Sequence, residues 1–205
     1  LQRVSFAVPT GEIEGILHLP DGDAIGGCAV LHGFGGHPDQ PHIVATCTAL
    51  AEAGVAALRF PYRDHQPPRM TLDSALADAA GAIRLLKAHP SVPERLGVVG
   101  FSFGGTVAAV AAGRASRIRA AVLAAAPAVA GEHFTAWSRD GKWKPVAELS
   151  RTRARVLLIW GSRDTQVPIE HAERYSAVLS QARVTHRVLT IDGAGHDFGP
   201  AGPRA

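Results

Sequence analysis

The residues that could do chemistry are a serine, an aspartate and a histidine, each in a short glycine-bearing segment. Ser102 stands in GFSFG (100–104), a G-x-S-x-G pattern between a small-residue apolar run and a run rich in alanine and valine. A lone hydroxyl between glycines at such a junction reads as strand, tight turn and helix with the serine at the apex. Gly100 and Gly104 remove Cβ atoms where strand and helix would collide, and Gly105 lets the helix approach closely. The helix dipole favours negative charge at that point. The pentapeptide alone is a weak signal, but its strand–helix context makes it a strong one.

A serine oxygen becomes a nucleophile when a base takes its proton and an acid orients the base. His196, in GAGHDFG (193–199), is the expected base, because small neighbours leave that loop free to turn an imidazole toward Ser102. His89 and His171 fall in helix-like segments, His18 and His186 in strand-like ones, and His32 is expected to brace the loop that follows it. The expected acid is Asp164, in GSRDTQVP (161–168), where a short loop before Pro168 can hold a carboxylate against the far ring nitrogen. Asp192 and Asp197 lie too close in sequence to reach the correct ring edge easily, and Asp140 sits in an irregular stretch. The oxyanion of an acyl transfer needs N–H donors, each worth on the order of 3 kcal/mol. Phe103, directly after the serine, supplies one candidate. The turn HGFGG (32–36) supplies the other, with Phe34 first and Gly35 next. Read as a phosphate loop, HGFGG lacks the G-K-[ST] ending and does not fit G-x-G-x-x-G.

The elements that must carry these residues alternate. Residues 4–8 and 12–20 form a hairpin around Pro9-Thr10-Gly11. Strand-like runs follow at 27–32, 55–60, 96–101, 119–126, 155–160 and 184–191. Helices are expected at 41–54, with Ile43, Cys47 and Leu50 on one face and Gly54 as the stop, and at 71–89, capped by Thr71. Two more follow at 102–113 and 168–181, and 131–150 is a polar stretch. This alternation implies a mostly parallel, eight-stranded sheet with helices on both faces. Ligands then bind beyond the carboxyl ends of the strands. The loops after five strands carry nearly all the candidate chemistry, and that convergence is the strongest argument in the sequence.

Bulk properties narrow the function further. The 205 residues suit one domain, and 46% hydrophobic with 19% charged residues is a globular balance. The net charge of +3 comes without a run of like charges, so it reads as solvated surface and not as a nucleic-acid footprint. No apolar stretch has transmembrane length, no secretory signal opens the chain, and the expected compartment is the cytoplasm. The chain begins at Leu1 without a Met, which leaves room for a removed leader. Cys28 and Cys47 are expected to be buried free thiols. His32, His37 and His42 recur every five residues, which matches no helical pair or usual zinc spacing, so no metal is expected.

Taken together, HGFGG, GFSFGG, GSRDTQVP and GAGHDF, in the order Ser, Asp, His, resemble the α/β-hydrolase family over nearly the whole chain. LRFPYR (58–63) is similar to the family's strand-4 segment, altered by Pro61 and without its usual glycines. The resemblance is closest to small, lidless bacterial members of the dienelactone hydrolase and cinnamoyl or feruloyl esterase-like groups. Dienelactone hydrolases carry a cysteine nucleophile, so Ser102 points to the esterase side. Two departures stand out. Only 28 residues separate Ala126 from Arg155, where many members insert a lid. The sequence also stops nine residues after His196, where a final helix is usual, so this is either a short member or a chain missing its C-terminus, and the support of the His196 loop is in question.

The resemblance implies a cofactor-free serine hydrolase acting on carboxylic esters through an acyl-enzyme, with a small-molecule ester as its partner and no nucleic acid or membrane insertion. A thioesterase or small peptidase would use the same residues, and a binding module that has lost turnover would have the same fold. An open acyl pocket of Phe34, Phe103 and parts of 131–150 is expected, with Phe134 and Trp137 as a short flap or as core filling. Arg63 and His65, in RFPYRDHQPPR, are either surface charge or a docking point for an anionic or aromatic-acid ester.

Overall fold

The computed structural model describes residues 1–64, 70–129 and 144–199. Its first two strands, β1 (Gln2–Val8) and β2 (Gly11–His18), form the expected hairpin, turned at Pro9-Thr10. Next come β3 (Gly26–Leu31), α1 (Pro41–Glu52), β4 (Val55–Arg59), α2 (Leu72–Ala88), β5 (Leu96–Phe101) and α3 (Phe103–Arg114). The chain continues through β6 (Ile118–Ala124), α4 (Pro145–Leu149), β7 (Arg155–Gly161), α5 (Glu170–Gln181) and β8 (His186–Ile191). The eight strands lie in one sheet in the order β1-β2-β4-β3-β5-β6-β7-β8. β2 runs antiparallel to β4, and every pairing from β4 to β8 is parallel.

Local sequence explains the helix limits. Thr71 caps α2 in a reciprocal capping box with Ser74, and Gly54 leaves α1 at φ +82°. α5 starts at Glu170, two residues after Pro168, so Pro168 precedes the helix and is not part of its first turn. The stretch 131–150, read as polar and without an element of its own, ends in the short helix α4, tied to α3 by Arg114 Nη2 donating to Glu148 Oε1 at 2.8 Å. That pair, with Arg151, holds the Glu148 carboxyl below its usual range.

Alternating side chains of the central strands feed two cores. Ala29 and Leu31 face the larger one, under α2, α3 and α5; Cys28 and Val30 face the smaller one, where α1 contributes Ile43 and Cys47. α3 lies in the middle of the larger core and is buried along nearly its whole length, which its run of glycine and alanine permits. β8 lies at the sheet edge with Val188, Leu189 and Ile191 each at least 36% exposed. Among the described residues, no helix is long and apolar enough to cross a membrane.

Cys28 and Cys47 are free and buried, as expected, and burial pushes both thiols up to about 12. Neither thiol is expected to react with iodoacetamide at pH 8 in the native protein, whereas both should alkylate in denaturant. Mass spectrometry of the two samples checks this, and rapid native labelling of either thiol would contradict the burial.

Candidate active site

The sheet order reverses at β3, which has β4 on one side and β5 on the other. A crevice at the carboxyl ends of β3 and β5 follows from that reversal. Ser102 sits in it as the N-cap of α3, with φ 52° and ψ −120°. Few residues other than glycine adopt this backbone, and here the surroundings enforce it. Ser102 N–H donates to Ala124 O at 2.8 Å, and Ser102 O accepts from Gly105 N–H at 2.9 Å. A Cβ on Gly100 would run into Gly104 O, and one on Gly104 into the carbonyls of Leu31 and His32. A Cβ on Gly105 would sit 2.6 Å from Ala126 Cβ. Because the atoms opposing Gly104 are backbone, Gly104→Ala should destabilise the protein by about 3 kcal/mol or more. Urea denaturation measures it, and a loss under 1 kcal/mol would contradict the packing.

His196 Nε2 lies 3.1 Å from Ser102 Oγ, and His196 Nδ1 lies 2.8 Å from Asp164 Oδ2. The Asp164 side chain is fully buried and that of His196 is 13% exposed. The other Asp164 oxygen accepts from the N–H groups of Gln166 and Val167 at 2.9 and 2.8 Å, which fixes the carboxylate plane. Asp192 instead accepts from Ser162 Oγ at 3.0 Å. Asp140 lies outside the described residues. The arrangement can relay a proton from the hydroxyl to the imidazole while the carboxylate steadies the resulting cation.

Support for the His196 loop comes from the loop after β7. Arg163 N–H donates to Ala194 O at 2.9 Å, and Gly193 N–H donates to Ser162 Oγ at 2.8 Å. Gly161 allows the close approach, since a Cβ there would meet the carbonyls of Ala194 and Gly195. Trp160 Nε1 donates to Val167 O at 3.0 Å and clamps the far end of the Asp164 loop. These side chains carried no sequence signal as site residues. They matter because they set the distance between the loops that hold acid and base.

On the other side of Ser102, the turn after β3 presents Phe34, whose ring packs edge-on against Phe103 at 5.7 Å. Gly35, at φ +65°, makes the turn, and Gly36 N–H closes it on Gly33 O at 3.1 Å. His32 braces it from beneath: Nδ1 lies 2.8 Å from Gly33 O, and Nε2 accepts from Tyr62 N–H at 3.4 Å. Phe103 opens α3 directly after the serine, so its N–H belongs to the first turn, where helices direct N–H groups outward.

A cavity of about 410 Å³ opens over Ser102 and His196. Phe34, Phe101 and Phe198 form its apolar walls, and Gln40, His42 and Gln166 its polar ones. Of the four non-glycine residues with positive φ among those described, Ser102, Ala125 (48°) and Phe198 (60°) all line it. Burial lowers the His42 pKa, against the pull of the Asp197 charge. Among the described residues, no group of three His, Cys, Asp or Glu could hold a metal ion.

Arg63 does not line this cavity. Its guanidinium lies 3.0 Å from the buried carboxylate of Asp78, with Thr10 Oγ1 and Ser74 O as further acceptors, and Arg63 N–H donates to the same carboxylate. Its guanidinium is engaged with Asp78 of α2 and the β1–β2 turn, so it is not loose surface charge. His65, Phe134 and Trp137 lie outside the described residues.

The chain has relatives among known proteins. The family model described as "Dienelactone hydrolase family" matches residues 65–204. A protein named putative carboxymethylenebutenolidase, from Synechocystis sp., is 24% identical over 124 residues, covering 60% of this chain and 48% of that protein. The chain thus spans about half the length of that relative. Est1E from Butyrivibrio proteoclasticus superposes with a TM-score of 0.79 at 21% identity, covering 97% of this chain and 91% of Est1E. Dienelactone hydrolase from Anabaena variabilis superposes at 0.76 with 24% identity, covering 96% and 88% of the two chains. With its eight-stranded sheet and the elbow at Ser102, the chain has the α/β-hydrolase fold and belongs to the dienelactone hydrolase family.

Proposed function

We propose that this hydrolase-family chain is a serine esterase that cleaves carboxylic esters of short-chain or compact aromatic acids. The observation that carries the reading is the unbroken chain from Ser102 Oγ through His196 to Asp164, at 3.1 and 2.8 Å. Ser102 attacks the ester carbonyl as His196 Nε2 takes its proton. The N–H groups of Phe103 and Phe34 stabilise the oxyanion, with Gly35 as the alternative second donor. The alcohol leaves with a proton from His196 and the acyl group remains on Ser102. His196 then activates a water that releases the acid. Both cysteines are buried in the smaller core and neither stands at the elbow, which supports Ser102 over a thiolate as the nucleophile.

A small substrate is supported by the cavity of about 410 Å³, one wall of which is Phe34, backed by the buried ring of Phe103. Est1E has been solved with ferulic acid bound, which supports extending the range to compact aromatic acids. The test is a p-nitrophenyl ester series from acetyl to palmitoyl at matched solubility, with thioester and aminoacyl amide arms. The expected kcat/KM peaks at short acyl groups and is lower for thioesters and amides. A value that climbs beyond about eight carbons would indicate an acyl tunnel and overturn the substrate assignment.

A further inference from the structure

The cavity has two separate aromatic walls. Phe34 packs on Phe103 beside the candidate oxyanion donors. On the His196 side, the His42 ring meets Phe101 edge-on at 4.9 Å, and Phe101 meets Phe198 at 6.5 Å, so the three rings form one continuous surface. All three line the cavity together with Ser102 and His196.

Resting on the esterase reading, we propose that His42, Phe101 and Phe198 form the subsite for the leaving alcohol, and that it selects flat, aromatic alcohols. The chemistry of the step fixes which wall this is. When the tetrahedral intermediate collapses, the bond from carbonyl carbon to alcohol oxygen breaks and its electron pair goes to that oxygen. The oxygen takes the proton held on His196 Nε2, so the alcohol must leave from a position next to that nitrogen. Phe198 is two residues from His196 on the same loop, and Phe101 immediately precedes Ser102, so the leaving oxygen is flanked by these rings. The oxyanion, by contrast, points to the Phe34–Phe103 side. Edge and face contacts among rings favour another ring in the gap over a flexible alkyl chain.

The backbone at Phe198 supports the assignment. Its φ of 60° is a conformation in which a phenylalanine is strained and a glycine is not, and the loop keeps it with Phe198 N–H donating to Gly195 O at 3.1 Å. The side chain is only partly buried, so core packing does not account for it. His42 sits on the first turn of α1, partly buried, and burial keeps its imidazole on the neutral side, which suits a ring wall.

The experiment compares kcat/KM for phenyl acetate and 2,2,2-trifluoroethyl acetate, which share an acyl group and differ in the shape of the alcohol. Phe198→Leu and His42→Leu each put a branched alkyl side chain in place of a ring. Each is expected to lower the phenyl-to-trifluoroethyl ratio about 5-fold, with Val188→Thr on the exposed edge strand leaving it unchanged. Direct binding of phenol, measured by saturation-transfer NMR against cyclohexanol, should favour phenol in the wild type and lose that preference in Phe198→Leu. An unchanged ratio in both variants, with Ser102 still labelled by a phosphonate, overturns the subsite and leaves the esterase reading standing. If the wild type neither turns over esters nor takes the phosphonate, the esterase reading fails. The phenol measurement then decides the subsite alone: preference lost in Phe198→Leu supports it, and no preference in the wild type overturns it.

Discussion

Ser102→Ala is expected to lower kcat/KM for a short-chain p-nitrophenyl ester by 10⁴-fold or more while the protein stays folded. The hydroxyl is the only group on the elbow that can form the acyl bond, and residues of such a relay act as a unit, so losing one removes nearly the whole covalent pathway. On the proposed mechanism, what survives is the polarisation of the carbonyl by backbone N–H groups. The fold should be indifferent, because no hydrogen bond from the Ser102 side chain holds a structural element: its oxygen faces His196, and its backbone bonds to Ala124 and Gly105 do not depend on the side chain. Alanine is also small enough to keep the positive φ with little added strain. The measurement is steady-state kinetics beside thermal unfolding. Retention of a tenth or more of the wild-type rate would remove Ser102 from the mechanism.

Asp164→Asn should cost nearly as much, about 10⁴-fold in kcat, through a different cause. Asp164 Oδ2 accepts a hydrogen bond from His196 Nδ1–H, which keeps the ring proton on Nδ1 and leaves Nε2 bare to take the serine proton. An asparagine that turns its NH₂ to the ring makes Nδ1 the acceptor, so Nε2 carries the hydrogen and cannot act as a base. Its oxygen can still accept from Gln166 and Val167 N–H, so the loop keeps its turn and stability should fall by less than about 1 kcal/mol. Asp192→Asn is the matched control, since Asp192 bonds to Ser162 and not to His196. Near-normal kcat in Asp164→Asn, or a crippled Asp192→Asn, would contradict the assignment of the acid.

The sequence carried the sheet and the elbow because both are dictated locally. Apolar runs of strand length alternate with helix-spaced ones, and Gly100 answers a steric need within a few residues of the serine, whereas Gly104 and Gly105 make room for Leu31, His32 and Ala126 on neighbouring strand ends. Thr71 as a cap is local in the same sense. What it did not carry depends on contacts between distant segments. The Arg63–Asp78 pair spans a turn and a helix, and from spacing alone Arg63 looks like surface charge beside a site. His42 is one more polar residue at the start of α1 until α1 is docked beside Phe101. Phe198 reads as a residue near the end of a loop, and its place in the cavity emerges only when the loops after β7 and β8 are stitched together. The question over the His196 loop had the same origin: its support comes from Arg163, Ser162 and Gly161 on the neighbouring loop, about 30 residues earlier in the chain.

The most direct test of the nucleophile is covalent labelling with a fluorophosphonate, followed by intact-mass analysis and peptide mapping. The account predicts one adduct per chain, located on the peptide that carries Ser102, formed slowly in His196→Ala and blocked by a short-chain ester. No adduct, or an adduct on another serine or on Cys28 or Cys47, would contradict it.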